Sequence, residues 1–99
     1  MKNPILNIEF EPGSVWLAGA GPGDPGLVTL QTWHALQHAD IIVYDALVSG
    51  EILRLAPEKT PKKYAGKRGG KPSVHQADIS LRLIQLARKN LRVLRLKGG

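Results

Sequence analysis

The 99-residue sequence contains no cysteine. A disulfide framework, a thiolate nucleophile and a cysteine-based metal site are therefore all excluded. The three histidines do not replace these ligands. We predict no metal site, and the absence of cysteine favours a reducing compartment.

Long apolar segments are also absent. No stretch approaches the roughly 18 consecutive apolar residues of a membrane-spanning helix. Residues 1–7 lack the apolar run and small-residue cleavage site of a secretory signal. We therefore expect a cytoplasmic protein, and a mass of 10.8 kDa fits one domain around one core.

Acidic residues are scarce in the second half of the chain. Residues 59–99 hold twelve bases and one acid, a net charge of +11, whereas residues 1–58 hold two bases and seven acids, a net charge of −5. Such a positive field favours a polyanionic partner, either nucleic acid or a small molecule with several carboxylates or phosphates. Solvated basic surfaces are the plain alternative.

Strand and helix patterns alternate after a polar segment, residues 1–13, which we expect to be a flexible arm. Apolar or β-branched runs predict strands at 14–18, 41–44, 62–65 and 91–96, and helical spacing predicts helices at 29–39, 51–55 and, after a capping box at 73–76, 74–89. Short links between these elements imply right-handed crossovers. The predicted fold class is therefore α/β, a mostly parallel sheet of about four strands with helices on its faces.

Several local signals give these elements more detail. Thr29 and Ser49 are predicted helix N-caps, and Pro57 is expected to end the second helix. The first two strands should be fully buried, and the polar third strand should lie at a sheet edge. The helix stripes predicted to face the core are Leu30, Trp33 and Leu36 in the first helix and Ile79, Leu83 and Leu86 in the third.

In parallel sheets ligands gather at the carboxyl ends of the strands. We therefore expect the loops that start at Gly19, Asp45, Gly66 and Lys97 to converge along one rim.

The first of these loops, GPGDPG at 21–26, has the spacing of a dinucleotide-binding fingerprint. Pro22 and Pro25 remove two backbone N–H donors, however, and Asp24 adds negative charge, so a diphosphate is disfavoured. A ligand with an amine, a ribose or a sulfonium would suit the loop better. A tight turn without ligand is an equally good interpretation.

Asp45 follows a buried strand, where active-site carboxylates are common, and it is a candidate general base or a simple turn residue. Lys67 and Arg68, set among glycines, would suit an acidic substrate or form a solvated basic turn. His75 is interpreted as structural.

Two other functions deserve comparison. The ending LRLKGG at 94–99 resembles that of ubiquitin-like modifiers, but three helices between four strands do not fit their fold. Nucleic-acid binding suits the basic half, although no recognition motif or aromatic stacking platform is present there. A basic nucleic-acid-binding module therefore remains an alternative, as does a dinucleotide-dependent enzyme.

Five motifs occur in a characteristic order between residues 14 and 99. They are GAGPGDPG at 19–26 followed by Leu30, YDALVS at 44–49, GKRGGK at 66–71, QADI at 76–79 and RLKGG at 95–99. Together they resemble the tetrapyrrole methylase family. The second and third motifs are similar to those of members that act on uroporphyrinogen III, and methylases of later corrin synthesis are the nearest alternative.

This resemblance implies S-adenosylmethionine as methyl donor and a cup-shaped enzyme of two domains, usually a homodimer. Residues 14–99 would be most of the first domain, truncated before the second. Pro22, Gly98 and Gly99 fall on positions that contact the cofactor in the family. Asp45 falls on the proposed proton acceptor and Lys67 on the proposed proton donor or substrate contact, with Arg68 beside it.

Overall fold

A computed structural model describes residues 9–65 and 76–98. The elements are β1 (Val15–Gly19), a 3-10 turn (Pro25–Leu27), α1 (Leu30–His38), β2 (Ile41–Tyr44), α2 (Gly50–Leu53), β3 (Lys62–Tyr64), α3 (Gln76–Arg88) and β4 (Val93–Lys97). The predicted α/β class is confirmed. Most of the predicted arm, the basic loop with Lys67 and Arg68, His75 and Gly99 lie outside the described residues.

The described strands form one parallel sheet in the order β1-β4-β2-β3. The last strand in the sequence is therefore inserted between the first two. Residue 44 of β2 pairs with Leu96 of β4, and Gly19 of β1 pairs with Lys97. Because every pair is parallel, the carboxyl ends of all four strands lie along one edge, which we call the carboxyl rim.

Helices cover both faces of the sheet. On one face, α1 and α2 pack against alternate residues of β2 and β4, in a cluster that includes Leu36, Ile42, Ile52, Leu94 and Leu96. On the other face, α3 contributes Ile79 and Leu83 to a cluster with Ile41, Val43 and Val93. The predicted α3 stripe is confirmed, with Leu86 half-buried beside it.

The prediction that β1 is fully buried is wrong. Leu17 is 73% exposed, because β1 has a neighbour on one side only among the described strands. The edge position predicted for β3 is correct.

The apolar stripe predicted for α1 is only partly correct. Leu36 is fully buried, but Leu30 and Trp33 are 55% and 45% exposed. The buried face contains Thr32 and Ala35 instead. Leu30 projects away from this face, because it lies about half a turn from Thr32 and residues half a turn apart face opposite sides of a helix. The buried Thr32 hydroxyl donates to the carbonyl of Gly19 at 3.2 Å, which satisfies it inside the core.

Both predicted N-caps are present. Thr29 Oγ1 accepts from the Thr32 N–H at 3.1 Å, and Ser49 Oγ accepts from the Ile52 N–H at 3.3 Å. Helix α2 ends at Leu53, two residues before the predicted end at Leu55. It ends early because the turns that follow are tighter than those of an α-helix. Leu55 and Ala56 donate their N–H groups to carbonyls three residues back, the 3-10 pattern common at helix ends.

An aspartate and an arginine join β2 and β4 at the amino end of the sheet. The Arg92 N–H donates to Asp40 Oδ2 at 2.7 Å, and the Arg92 guanidinium lies 3.5 Å from the same oxygen. Arg92 Nε also donates to the Phe10 carbonyl at 2.7 Å. These bonds fix the start of both central strands. Within residues 9–65 and 76–98, none of the helices is long and apolar enough to cross a membrane.

The two leucines of α1 provide a test of this packing. We expect Leu36→Ala to lower the free energy of unfolding by about 2–5 kcal/mol, because it opens a cavity under the central strands. Leu30→Ala, on the exposed side of the same helix, should change it by only about 0.5 kcal/mol. Urea unfolding followed by circular dichroism measures both, and equal losses would show that the assigned helix face is wrong.

Candidate functional site

The glycine-rich loop after β1 is held by its own acidic residue. Asp24 Oδ1 accepts from the Gly26 N–H at 2.8 Å and caps the 3-10 turn at Pro25–Leu27. Gly21 and Gly23 have φ angles of 74° and 103°, a region that side chains other than glycine rarely adopt. The turn interpretation of Asp24 is therefore confirmed, and Pro22 is exposed beside it.

Asp45 connects two loops of the carboxyl rim. Its Oδ1 atom accepts from the Leu47 N–H at 3.0 Å and from the Gly98 N–H at 3.3 Å. The first bond is a local turn, as the sequence allowed, but the second joins the loop after β2 to the loop after β4. The Asp45 side chain is 21% exposed, so the carboxylate still faces solvent at the rim.

Further hydrogen bonds join these loops to the glycine-rich loop. Ser49 Oγ, besides capping α2, donates to the Gly23 carbonyl at 3.2 Å, and the Ala20 N–H donates to the Lys97 carbonyl at 2.7 Å. The predicted convergence on one rim is thus confirmed for the loops after β1, β2 and β4. The fourth loop, which follows β3, lies outside the described residues from Gly66 onward.

Gly98 sits where no larger residue fits. A Cβ atom at this position would overlap the carbonyl carbon and the Cβ of Leu47. Unlike Gly21 and Gly23, Gly98 does not have a positive φ angle, so the requirement for glycine is one of space. The close approach is what brings the Gly98 N–H to the Asp45 carboxylate.

Arg95 belongs to the RLKGG motif, and the sequence alone predicts no role for it. It lies in the middle of β4 between Leu94 and Leu96, and it is only 4% exposed. Its NH2 atom lies 3.9 Å from Asp45 Oδ2, whereas the two backbone N–H groups donate to the other carboxylate oxygen, Oδ1. The signal in the sequence was a charged residue within an apolar strand, since a buried charge requires a partner.

A groove of about 880 Å³ runs along the open edge of β1. Its lining includes Leu17, Gly19, Gly21, Leu27 and Thr29, but not Asp45, Pro22 or Gly98. Among the described residues, this groove therefore contains none of the predicted site residues. Lys67, Arg68 and Gly99 remain predictions, because they lie outside the described residues.

Comparison with known proteins gives consistent matches. Residues 14–99 match the family described as tetrapyrrole (corrin/porphyrin) methylases. A uroporphyrinogen-III C-methyltransferase of Sinorhizobium sp is 64% identical over 90 residues, which cover 91% of this chain and 32% of that protein. A siroheme synthase of Nitrosospira multiformis is 49% identical over 101 residues, 100% of this chain and 21% of that protein.

A solved structure has the same fold. The crystal structure of uroporphyrin-III C-methyl transferase from Thermus thermophilus complexed with S-adenyl homocysteine superposes with a TM-score of 0.71 at 44% identity. The match covers 86% of this chain and 35% of that one. The chain thus spans about a third, or less, of the length of these relatives.

The contact between Gly98 and Leu47 can be tested by alanine substitution of two glycines, Gly98 after β4 and Gly19 at the end of β1. Gly98→Ala should cost about 1–3 kcal/mol of stability, because the new methyl group forces the two loops apart. It should also shift the amide resonances of Leu47 in a ¹⁵N–¹H spectrum. Gly19→Ala is the control, since a Cβ there meets nothing within 4 Å. Unchanged Leu47 resonances in the Gly98 variant would contradict the described approach of the loops.

Proposed function

The chain belongs to the tetrapyrrole methylase family, and from this membership we propose that it forms the N-terminal domain of a uroporphyrinogen-III C-methyltransferase. The complete enzyme would have two domains, use S-adenosylmethionine and produce precorrin-2 for cobalamin or sirohaem biosynthesis. By the same resemblance, it would be a homodimer. The observation that carries the proposal is the Asp45 carboxylate, held on the carboxyl rim by donors from two loops.

The glycine-rich loop suits a sulfonium cofactor better than a diphosphate. Pro22 and Pro25 have no N–H to offer, and the Asp24 carboxylate is turned towards Gly26. A diphosphate would lack donors here and would meet a negative charge, whereas a cationic sulfonium meets neither obstacle. We assign Pro22, Gly98 and Gly99 to the cofactor side of the cleft, and S-adenosylmethionine would supply an electrophilic methyl carbon there.

Asp45 is the proposed proton acceptor. An electron-rich pyrrole carbon of the substrate would take the methyl group in line, forming a carbon–carbon bond as the bond to sulfur breaks and its electron pair stays on sulfur. The substrate must then lose a proton as its ring system rearranges. Asp45 could take it because the carboxylate is partly exposed and its Oδ1 atom is held by the N–H groups of Leu47 and Gly98.

The substrate class fits the charge of the chain. Uroporphyrinogen III carries carboxylates on its acetate and propionate arms, and residues 59–99 have a net charge of +11. We propose that Lys67 and Arg68 bind these arms, with Lys67 also able to donate a proton. Arginine would pair with a carboxylate through two parallel hydrogen bonds and lysine through a single charge.

Two aspartates that flank β2 allow a matched test of the proposed base. In the full-length protein, Asp45→Asn should abolish methyl transfer while leaving the circular dichroism spectrum unchanged, because the amide keeps a hydrogen-bond acceptor but cannot take a proton. Asp40→Asn is the control: Asp40 also accepts a backbone N–H and faces an arginine, but at the opposite end of the sheet. Methyl transfer is measured with radiolabelled S-adenosylmethionine, and normal turnover by the Asp45 variant would refute its role.

Calorimetric titration separates the proposed function from its alternatives. The full-length protein should bind S-adenosylhomocysteine, and it should bind neither NAD nor a short RNA with comparable affinity. The 99-residue chain alone should fold yet bind S-adenosylhomocysteine only weakly, because the resemblance assigns part of the cofactor cleft to a second domain. Micromolar binding by the short chain would contradict this division, and preferential binding of NAD or RNA would contradict the function.

A further inference from the structure

Arg95 is a buried cation directly beneath the proposed base. The side chain is 5% exposed and lies on the central strand β4, opposite Val43 of β2. Removing a guanidinium from water is costly unless its N–H donors find partners. Its position therefore requires an explanation beyond the packing of the sheet.

The two ends of the guanidinium have different partners. NH1 donates to the Leu96 carbonyl at 3.2 Å and to the Val43 carbonyl at 3.5 Å, which anchors the planar group to both central strands. NH2 then points to the rim, 3.9 Å from Asp45 Oδ2. A planar fork presents spaced donors to both sets of partners, whereas the ammonium of a lysine is a compact point charge on a flexible stem.

Asp45 is thereby constrained on both oxygens. Oδ1 is occupied by the N–H groups of Leu47 and Gly98, and Oδ2 faces the positive charge of Arg95. Backbone donors on one oxygen alone would leave the carboxylate free to swing about that oxygen. The guanidinium restricts this rotation, while Oδ2, at 3.9 Å, keeps the capacity to accept a proton from a ligand on the rim.

We propose that Arg95 is a positioning residue for methyl transfer, which orients the Asp45 carboxylate towards the substrate carbon that loses its proton. The inference rests on the proposed role of Asp45 as base. It assigns to Arg95 an effect on the chemical step and none on the binding of either substrate, because the guanidinium is buried below the rim.

The test compares two arginines that each bond main-chain carbonyls and face an aspartate, in the full-length protein. Arg95→Met should lower kcat by roughly tenfold to a hundredfold, as expected when a catalytic group is displaced by about 1 Å, with the KM values for both substrates within about twofold of wild type. Arg92→Met is the control, because Arg92 also bonds main-chain carbonyl and aspartate oxygens but lies at the amino end of the sheet. It should lose stability without losing kcat.

Arg95→Lys keeps the positive charge but removes the planar guanidinium, so it tests whether the shape of the group matters. It also provides a second variant if Arg95→Met does not fold. We expect a folded protein with kcat still reduced about tenfold and unchanged KM values. A wild-type kcat in either Arg95 variant, or a fall no greater than that of Arg92→Met, would overturn the inference. If Asp45→Asn is inactive while Arg95 variants are normal, only this inference fails; if Asp45→Asn is fully active, the proposed role of Asp45 itself fails.

Discussion

The insertion of β4 between β1 and β2 is the constraint on which the rest of the structure depends. In this register Tyr44 pairs with Leu96 and Gly19 with Lys97, so three strands end at the same level. The residues that follow them must then meet, which is why Asp45 reaches the Gly98 N–H at 3.3 Å. A shift of β4 by one residue would reverse its faces, exchanging the buried leucines with Arg95, and would separate the loops.

The two ends of the central strands use the same pair of residue types for different purposes. At the amino end, Asp40 and Arg92 are each more than a third exposed and hold neighbouring strands together. At the carboxyl end, Arg95 is almost fully buried and Asp45 is partly open. Burying an ion costs several kcal/mol even after relaxation, so such a pair is a poor way to stabilise a sheet. The free-energy cost of burying Arg95 is understandable where the Asp45 carboxylate must keep one orientation at the rim.

The sequence predicted the features that local chemistry determines. The bounds of β2 follow from its β-branched run, and Thr29 and Ser49 cap the helices that they precede. The order of the strands depends instead on contacts between residues that are distant in the sequence. The exposure of Leu17 at the sheet edge could therefore not be predicted, because its apolar run suits a central strand equally well. The exposure of Trp33 and the pairing of Arg95 with Asp45 could not be predicted for the same reason. Which face of α1 is buried and which strand lies beside β4 are not determined by the local sequence.

Holding a carboxylate in one orientation is enough for the chemistry proposed at the rim. An aligned methyl donor and acceptor need little further activation, because correct positioning of reacting groups supplies much of the rate. The chain meets this need with main-chain N–H groups and, in our proposal, with the buried guanidinium of Arg95. Gly98 contributes to this orientation in two ways. Because it has no side chain, its loop can approach Leu47, and this approach brings its N–H within hydrogen-bond distance of Asp45. The geometry of the proposed base thus depends on strand register, on Gly98 and, in our proposal, on the buried Arg95.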